Sequence, residues 1–385
     1  MNNHFWKAAL CAAMVPFALA GCGGGDDGGA QTGTLHVAMT DAPSCGFDHI
    51  YVTVSQVRVN ANTNASDNDA GWSTITLATP RKIDLLSLTN GVLADIGQTA
   101  LPAGQYQQIR LVLAPNQGNS LANSVVPTGG TEQALATPSA TQSGYKIIQP
   151  FTVQANTLVD LVLDFNACKS IVQRGNGTYA LKPVVTAIPT VVSGAISGYV
   201  APAEAGATVY AEQGGKVVRG TVADSTGKFV LSPLIQSSTQ GNYDVVIVQN
   251  NFASGIVRTV PVVVNTTTAV SASNAPITLP ASTMSSVSGT VTASADALVR
   301  ALQTVDARPY EITSINANMD TGAYALNVPT AAPIVGTYSG SLPVALAASP
   351  AAAAQYTIEA DAASGATQST NVNATTSQSN VNFSF

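Results

Sequence analysis

Apolar and polar residues alternate through most of this chain with the two-residue period of half-buried strands. Leu35, Val37 and Met39 alternate with His36, Ala38 and Thr40, so one face meets a core and the other meets water. Asp41-Ala42-Pro43 closes that strand, since proline cannot continue a ladder. Ile50, Val52 and Val54 begin a second strand, and the apolar phase then moves to Val57 and Val59. A bulge near Ser55-Gln56 accounts for the shift. Residues 60–71 form a polar hairpin loop, and Trp72 to Leu77 pairs back. Ile83 to Ile96 has room for a short helix, while Tyr106 to Leu113, Leu158 to Phe165 and Tyr179 to Ile188 read as further strands.

The pattern changes little after residue 190. Ser197-Gly198-Tyr199-Val200 opens a strand, Ala207 to Ala211 alternates, and Asp224-Ser225-Thr226-Gly227 makes a turn before Lys228 to Leu231. Tyr243 to Val248 is a strong strand. An echo follows in Ser288-Gly289-Thr290-Val291, in Asp320 to Leu326 and in Tyr356-Thr357-Ile358. The two Ser-Gly openings are 91 residues apart by their numbers (197 and 288), a length one sandwich fills. Two related units in tandem are therefore expected. Ala345 to Gln355 is Ala-rich, a loop or short helix. The terminal Val381 to Phe385 reads as the last strand of a sandwich rather than part of a membrane barrel, because such barrels carry aromatic girdles and aromatic residues are only 6% here.

Composition sharpens the class. Hydrophobic residues make up 45% of the 385, charged residues 9%, and the net charge is -6. Low charge without low hydrophobicity argues against general disorder, and no basic face invites nucleic acid. The fold class expected is all-β, with multi-domain antiparallel β-sandwiches behind a lipidated N-terminal tether.

The start of the chain carries the most specific motif. Lys7 precedes an apolar run, Ala8 to Leu19, too short to span a membrane. Leu19, Ala20 and Gly21 then stand before Cys22, which resembles a bacterial lipobox. That resemblance implies cleavage before Cys22, acylation of its sulfur and anchoring by more than one chain. Gly23 after the cysteine, where an inner-membrane signal has Asp, implies an outer-membrane address. Residues 23–33 form a Gly-rich tether. Gly23, Gly25 and Gly28 spell G-x-G-x-x-G, but no strand precedes them and no helix follows, so no dinucleotide site is expected. In an exported chain the remaining Cys45 and Cys168 are expected to form a disulfide.

An ordered set of motifs points further. Thr40-Asp41-Ala42-Pro43, Gly71-Trp72, Ile83 to Leu86, Asn90-Gly91-Val92, Leu101 to Tyr106, Ile109-Arg110-Leu111, Pro138-Ser139, Ser143-Gly144 and Leu181 to Val184 together resemble the bacterial lipoprotein domain of unknown function 4382, over about 33–188. The resemblance implies an exported β-rich domain and no activity. The segment from Ser197 to Val248 resembles the carboxypeptidase regulatory-like domain, a prealbumin-type β-sandwich that accompanies catalysis without performing it. The organisation expected is a signal peptide (1–21), a lipid-anchored tether (22–33), the β-rich domain (34–190), a regulatory-like sandwich (194–280) and a second, degenerate sandwich (285–385).

Catalytic chemistry is sparse. His36, His49, Asp41 and Asp48 offer metal-type donors, but strand parity places His36 with Ala38 and Thr40 on the solvent face, so plain surface histidines are expected. No H-E-x-x-H, C-x-x-C or G-x-S-x-G occurs. Cys45 with His49 is a conceivable nucleophile pair, better explained by the disulfide. Asn60, Asn62, Asn64, Asp67 and Asp69 form an oxygen-rich loop, with Asp67 and Asp69 as weak calcium candidates. Asp84, Asp95, Asp160 and Asp164 are scattered acids, of which Asp160 and Asp164 share a strand face. The function expected is a non-catalytic envelope lipoprotein without cofactor, bound to the membrane by its lipid, with a polysaccharide or protein ligand. A carbohydrate-directed hydrolase using the scattered carboxylates and a calcium-stabilised adhesin are the alternatives.

Overall fold

The computed structural model describes residues 31–41, 46–118, 120–236, 241–292 and 296–385. The signal peptide, Cys22 and most of the tether, and also Cys45, lie outside the described residues. Nearly all regular structure is strand, arranged as three two-layered units.

The first unit runs β1 (Thr32–Asp41), β2 (Phe47–Asn60), β3 (Ser73–Asp84), β4 (Ala94–Pro102), β5 (Gly104–Leu113), β6 (Ser124–Pro127), β7 (Gln133–Ala136), α1 (Pro138–Gln142), β8 (Tyr145–Val153), β9 (Leu158–Phe165), α2 (Ala167–Ser170), β10 (Ile171–Gln173), β11 (Tyr179–Leu181) and β12 (Val185–Pro189). One sheet has the order β12-β9-β1-β4; the other is β10-β11-β7-β6-β2-β5-β8, with β3 also on β2. Leu35, Val37 and Met39 face Ile50, Val52, Val57 and Leu111 in one core, as the alternation requires. β2 is a single strand with a register shift between Val54 and Gln56, so the bulge falls where the apolar phase slips. The stretch from Ile83 to Ile96 holds only a single 3-10 turn at Leu85–Ser87, capped by the Asp84 carboxylate, before β4 begins.

The second unit is β13 (Ser193–Tyr199), β14 (Thr208–Gln213), β15 (Lys216–Val222), β16 (Lys228–Ile235), β17 (Tyr243–Val248), β18 (Gly255–Val260) and β19 (Thr267–Ala269). Its sheets are β16-β13-β19 and β15-β14-β17-β18, closed over buried Phe229, Leu231, Val245 and Ile247. The third unit is β20 (Met284–Thr292), β21 (Leu298–Val305), β22 (Arg308–Asn316), β23 (Ala323–Pro329), β24 (Ile334–Thr337), β25 (Ala347–Ala348), β26 (Gln355–Asp361), β27 (Thr367–Asn373) and β28 (Phe383–Ser384). Its own sheets are β23-β20-β28 and β22-β21-β26-β27.

Strand for strand, these last two units are the same sandwich. The first strand pairs antiparallel with the fourth and parallel with the last in both. The second strand of each carries a bulge against the third, at Ala211/Glu212 and at Ala301/Leu302. Gly227 and Gly322 close the equivalent turns, at φ +81 and +67, and each accepts the amide of the strand end opposite, Val200 or Val291, at 2.9 Å. The side-chain Oδ1 of Asp224 or Asn318 holds each turn by accepting amides within it.

Two features differ from the sequence expectation. Between β23 and β26 the chain leaves its own unit: β24 lies parallel to β18, and β25 follows it, extending the second unit's sheet to β15-β14-β17-β18-β24-β25. The Ala-rich segment is therefore a two-residue strand and a 3-10 turn at Pro350–Ala352. Second, the sheets are antiparallel only in the main, because each sandwich's closing strand crosses to the other layer and returns parallel to the first; β1 and β9 are also parallel.

Candidate binding site

Most residues singled out by their chemistry are committed to partners inside the fold. His36 on β1 stands between two acids: its Nδ1 is 2.6 Å from Asp160 on β9 and its Nε2 3.0 Å from Asp95 on β4. The parallel β1–β9 register places His36 opposite Asp160, so two of the scattered acids converge on one imidazole at a half-open surface. His49 pairs with a different acid, Asp84, at 2.7 Å, and stacks on Tyr51 at 5.5 Å. Asp41 Oδ1 accepts the Ala167 amide at the start of α2, and Asp48 accepts the Gly129 amide. The metal set of His36, His49, Asp41 and Asp48 is thus divided among separate contacts, and among the described residues no group of three His, Cys, Asp or Glu is placed to hold a metal ion.

The oxygen-rich loop is likewise occupied by its own chain. Asp67 is ion-paired with Arg58, and Asp69 accepts the Ser66 amide at 2.8 Å and its hydroxyl at 2.6 Å. That hydroxyl, then the amide, hold the Asp69 carboxyl below its ordinary pKa. Asn60 and Asn62 accept the amides of Asn62 and Asn64. Arg58 and Arg110 lie over the Trp72 ring at 4.6 and 5.1 Å, so two cations sit where a calcium ion would have to approach. Cys168 is disulfide-bonded; Cys45 falls outside the described residues.

Parity assigned Ala38 and Thr40 to solvent together with His36. They are buried, because the second unit covers that end of the sheet. Arg219 on β15 reaches over it, ion-paired with Asp164 on β9 and donating to Thr40 Oγ1 at 2.8 Å. Arg219 is 3% exposed and Asp164 6%. Burial pushes the Asp164 carboxyl up and Arg219 opposes it. Asn90 supports the same contact, its amide donating to Thr221 Oγ1 and its Oδ1 accepting the Val230 amide.

The third unit is bolted on by charge as well. Glu311 on β22, buried, is held by Lys169 of the first unit at 2.9 Å and by Arg300 at 3.2 Å. Arg300 also binds Glu359 and Asp361. Glu212 makes no ion pair among the described residues: its Oε2 accepts the Glu311 amide at 3.1 Å. Burial, then the neighbouring Glu311 charge, drives its carboxyl well above the usual range. Arg219, Asp164, Lys169, Arg300 and Asp361 line a cavity of about 250 Å³ at this junction.

A second, larger cleft of about 870 Å³ opens between the same three units. The first unit supplies Phe47, Tyr179 and Gln173, the second Tyr210 and Asn250, and the third the faces of β22 and β23. β23 alternates, burying Tyr324 and Leu326 and presenting Ala323, Ala325 and Asn327. Among the described residues no lining side chain carries a charge, in contrast to the smaller cavity nearby, which charged side chains line. Phe47 and Tyr179 meet edge to face at 5.6 Å. Burial, then Glu311 and Glu212, push the Tyr210 hydroxyl up, so it stays a protonated donor. Sequence reasoning passed over this cleft because its walls come from strands up to 280 residues apart (Phe47 and Asn327).

Residues 32–183 match the family model described as domain of unknown function DUF4382. The first unit is therefore a DUF4382 domain, and the match stops just before β12, the strand that completes its smaller sheet. No curated protein matches the chain. Among solved structures, a type II cohesin–X-dockerin complex of Acetivibrio cellulolyticus, mutated at an N-terminal interface, is 27% identical over 23% of this chain and 58% of that one, with a TM-score of 0.19. The chain thus spans 58% of that solved chain. An engineered form of BcpA, the major pilin subunit of Bacillus cereus, is 9% identical over 92% of this chain and 99% of that one, with a TM-score of 0.13.

Proposed function

We propose that this protein is a non-catalytic lipoprotein of the bacterial cell envelope, held at the outer membrane by acylated Cys22, and that its three units together form a ligand-binding arm. The observation that carries the binding reading is the cleft of about 870 Å³ walled by all three units, a size typical of ligand sites. Binding sites commonly form where domains meet, and the ion pairs of Arg219 with Asp164 and of Lys169 with Glu311 across these boundaries, with the bond Arg300 donates to the Gly215 carbonyl, hold the walls together. The membrane reading rests on Leu19-Ala20-Gly21-Cys22. A Cys45–Cys168 disulfide, and prealbumin-type ancestry for the two sandwiches, belong to the same proposal; the shared strand order supports the ancestry. The test is the intact mass of the protein extracted from membranes. It is expected to begin at Cys22 and to carry acyl chains; an unacylated chain starting elsewhere removes the anchor.

One observation favours a second reading. Asp95 and Asp160 flank His36, and paired carboxylates serve glycoside hydrolysis. Both acids, however, hydrogen-bond the imidazole between them, and neither cavity reaches them. A hydrolytic turnover abolished by Asp160→Asn would establish the hydrolase in place of the binding arm.

A further inference from the structure

We propose that the large cleft binds an uncharged oligosaccharide. This rests on the reading of the cleft as a binding site and names its ligand. An anionic ligand entering a partly desolvated cleft needs a cation to offset its desolvation, and no lining side chain among the described residues supplies one. A cationic ligand lacks its carboxylate for the same reason.

What the cleft does offer matches hydroxyl groups. Gln173, Asn250 and Asn327 are exposed, and their side-chain amides donate to and accept from nothing among the described residues. An amide carries both donors and an acceptor, as a sugar hydroxyl requires of its partner. Phe47, Tyr179 and Tyr210 are half-buried, rigid and apolar on their faces, so they can cover the C–H face of a pyranose ring. Ala323 and Ala325 leave room between them.

An extended peptide fits less well. Adding a strand needs a free, regular edge. The edge strand β22 has its Glu311 amide already donated to Glu212, and its register against β21 breaks at the bulge beside Ile312.

The experiment is isothermal titration of the full-length protein, extracted in a polyoxyethylene detergent that carries no sugar. The probes are maltohexaose, cellohexaose, xylohexaose and mannohexaose, with tetragalacturonate and a tryptic digest of carboxymethylated casein as anionic and peptide probes. At least one neutral oligosaccharide is expected to bind, and Tyr210→Ala is expected to weaken it tenfold or more. Gln173→Ala and Asn327→Ala, at exposed positions that leave the fold alone, are expected to weaken it severalfold with an unchanged melting temperature. Binding to none of the four, binding of tetragalacturonate or the digest as tight as any of them, or neutral binding untouched by all three substitutions overturns the proposal. Acylated protein that binds no glycan fails this inference alone, while an unacylated chain that binds one fails the membrane reading alone.

Discussion

Replacing Arg219 by Ala removes the cation that is ion-paired with Asp164 across the boundary of the first two units. Both groups are almost fully buried, so the deletion leaves a carboxylate in a desolvated site. Breaking a buried pair from one side costs about 3–5 kcal/mol, against roughly 0–1 kcal/mol for an exposed pair. The loss of the bond to Thr40 Oγ1 falls within that figure. The double variant Arg219→Met/Asp164→Asn keeps the volume and discards both charges, and is expected to recover most of the loss. The sign with pH follows from Asp164. Its folded pKa is already raised by burial, and removing Arg219 raises it further. A raised carboxylate destabilises above its folded pKa, and the penalty is relieved as pH falls through that value toward the unfolded value of about 3.9. The deficit of Arg219→Ala is therefore expected to be smaller at pH 5 than at pH 7. Urea unfolding followed by the fluorescence of Trp72, in the first unit, reads both quantities. A deficit below about 1 kcal/mol, a deficit independent of pH, or a double variant as weak as the single one refutes the argument.

Gly227→Ala and Gly322→Ala are expected to destabilise alike, by about 2 kcal/mol or more, since the left-handed conformation alone costs a side chain roughly 1–2 kcal/mol and the new Cβ would lie 2.2 or 2.0 Å from a backbone oxygen. Gly214→Ala, at φ +59 in open space, is the calorimetric control and is expected to lose only the conformational part. For Glu212, whose raised carboxyl makes stability fall as pH rises from about 4.3 through its folded pKa, Glu212→Gln is expected to flatten that slope and raise the melting temperature at pH 8. A steeper slope in the variant would contradict the assignment.

How far the sequence reached depended on whether a feature is local. The β2 bulge was legible because it displaces the apolar phase by one residue between Val54 and Val57. The tandem repeat was legible because Ser-Gly and the glycine turn recur at near-constant spacing, and both mark backbone contacts that a side chain would obstruct. Strand parity correctly put His36, Ala38 and Thr40 on one face. It carries no information about what covers a face, and Arg219 reaches Thr40 from 179 positions away. The convergence of Asp95 and Asp160 on His36 was equally hidden, because it depends on which strands neighbour β1. Between Leu113 and Leu158, β6 and β7 have four residues each, too few alternations to stand out, and the nine residues of β8 contain Pro150, which reads as a break in a strand.

The excursion of β24 and β25 bears on how such a chain is inherited. By strand order the last two units are duplicates, yet fifteen residues of one, Ile334 to Ala348, finish the sheet of the other. A recombination event cutting near residue 282 would strip β18 of its neighbour and leave a bare edge open to aggregation. The two sandwiches therefore share one sheet, and a chain divided between them would keep neither the covered edge of β18 nor the partner that β24 needs.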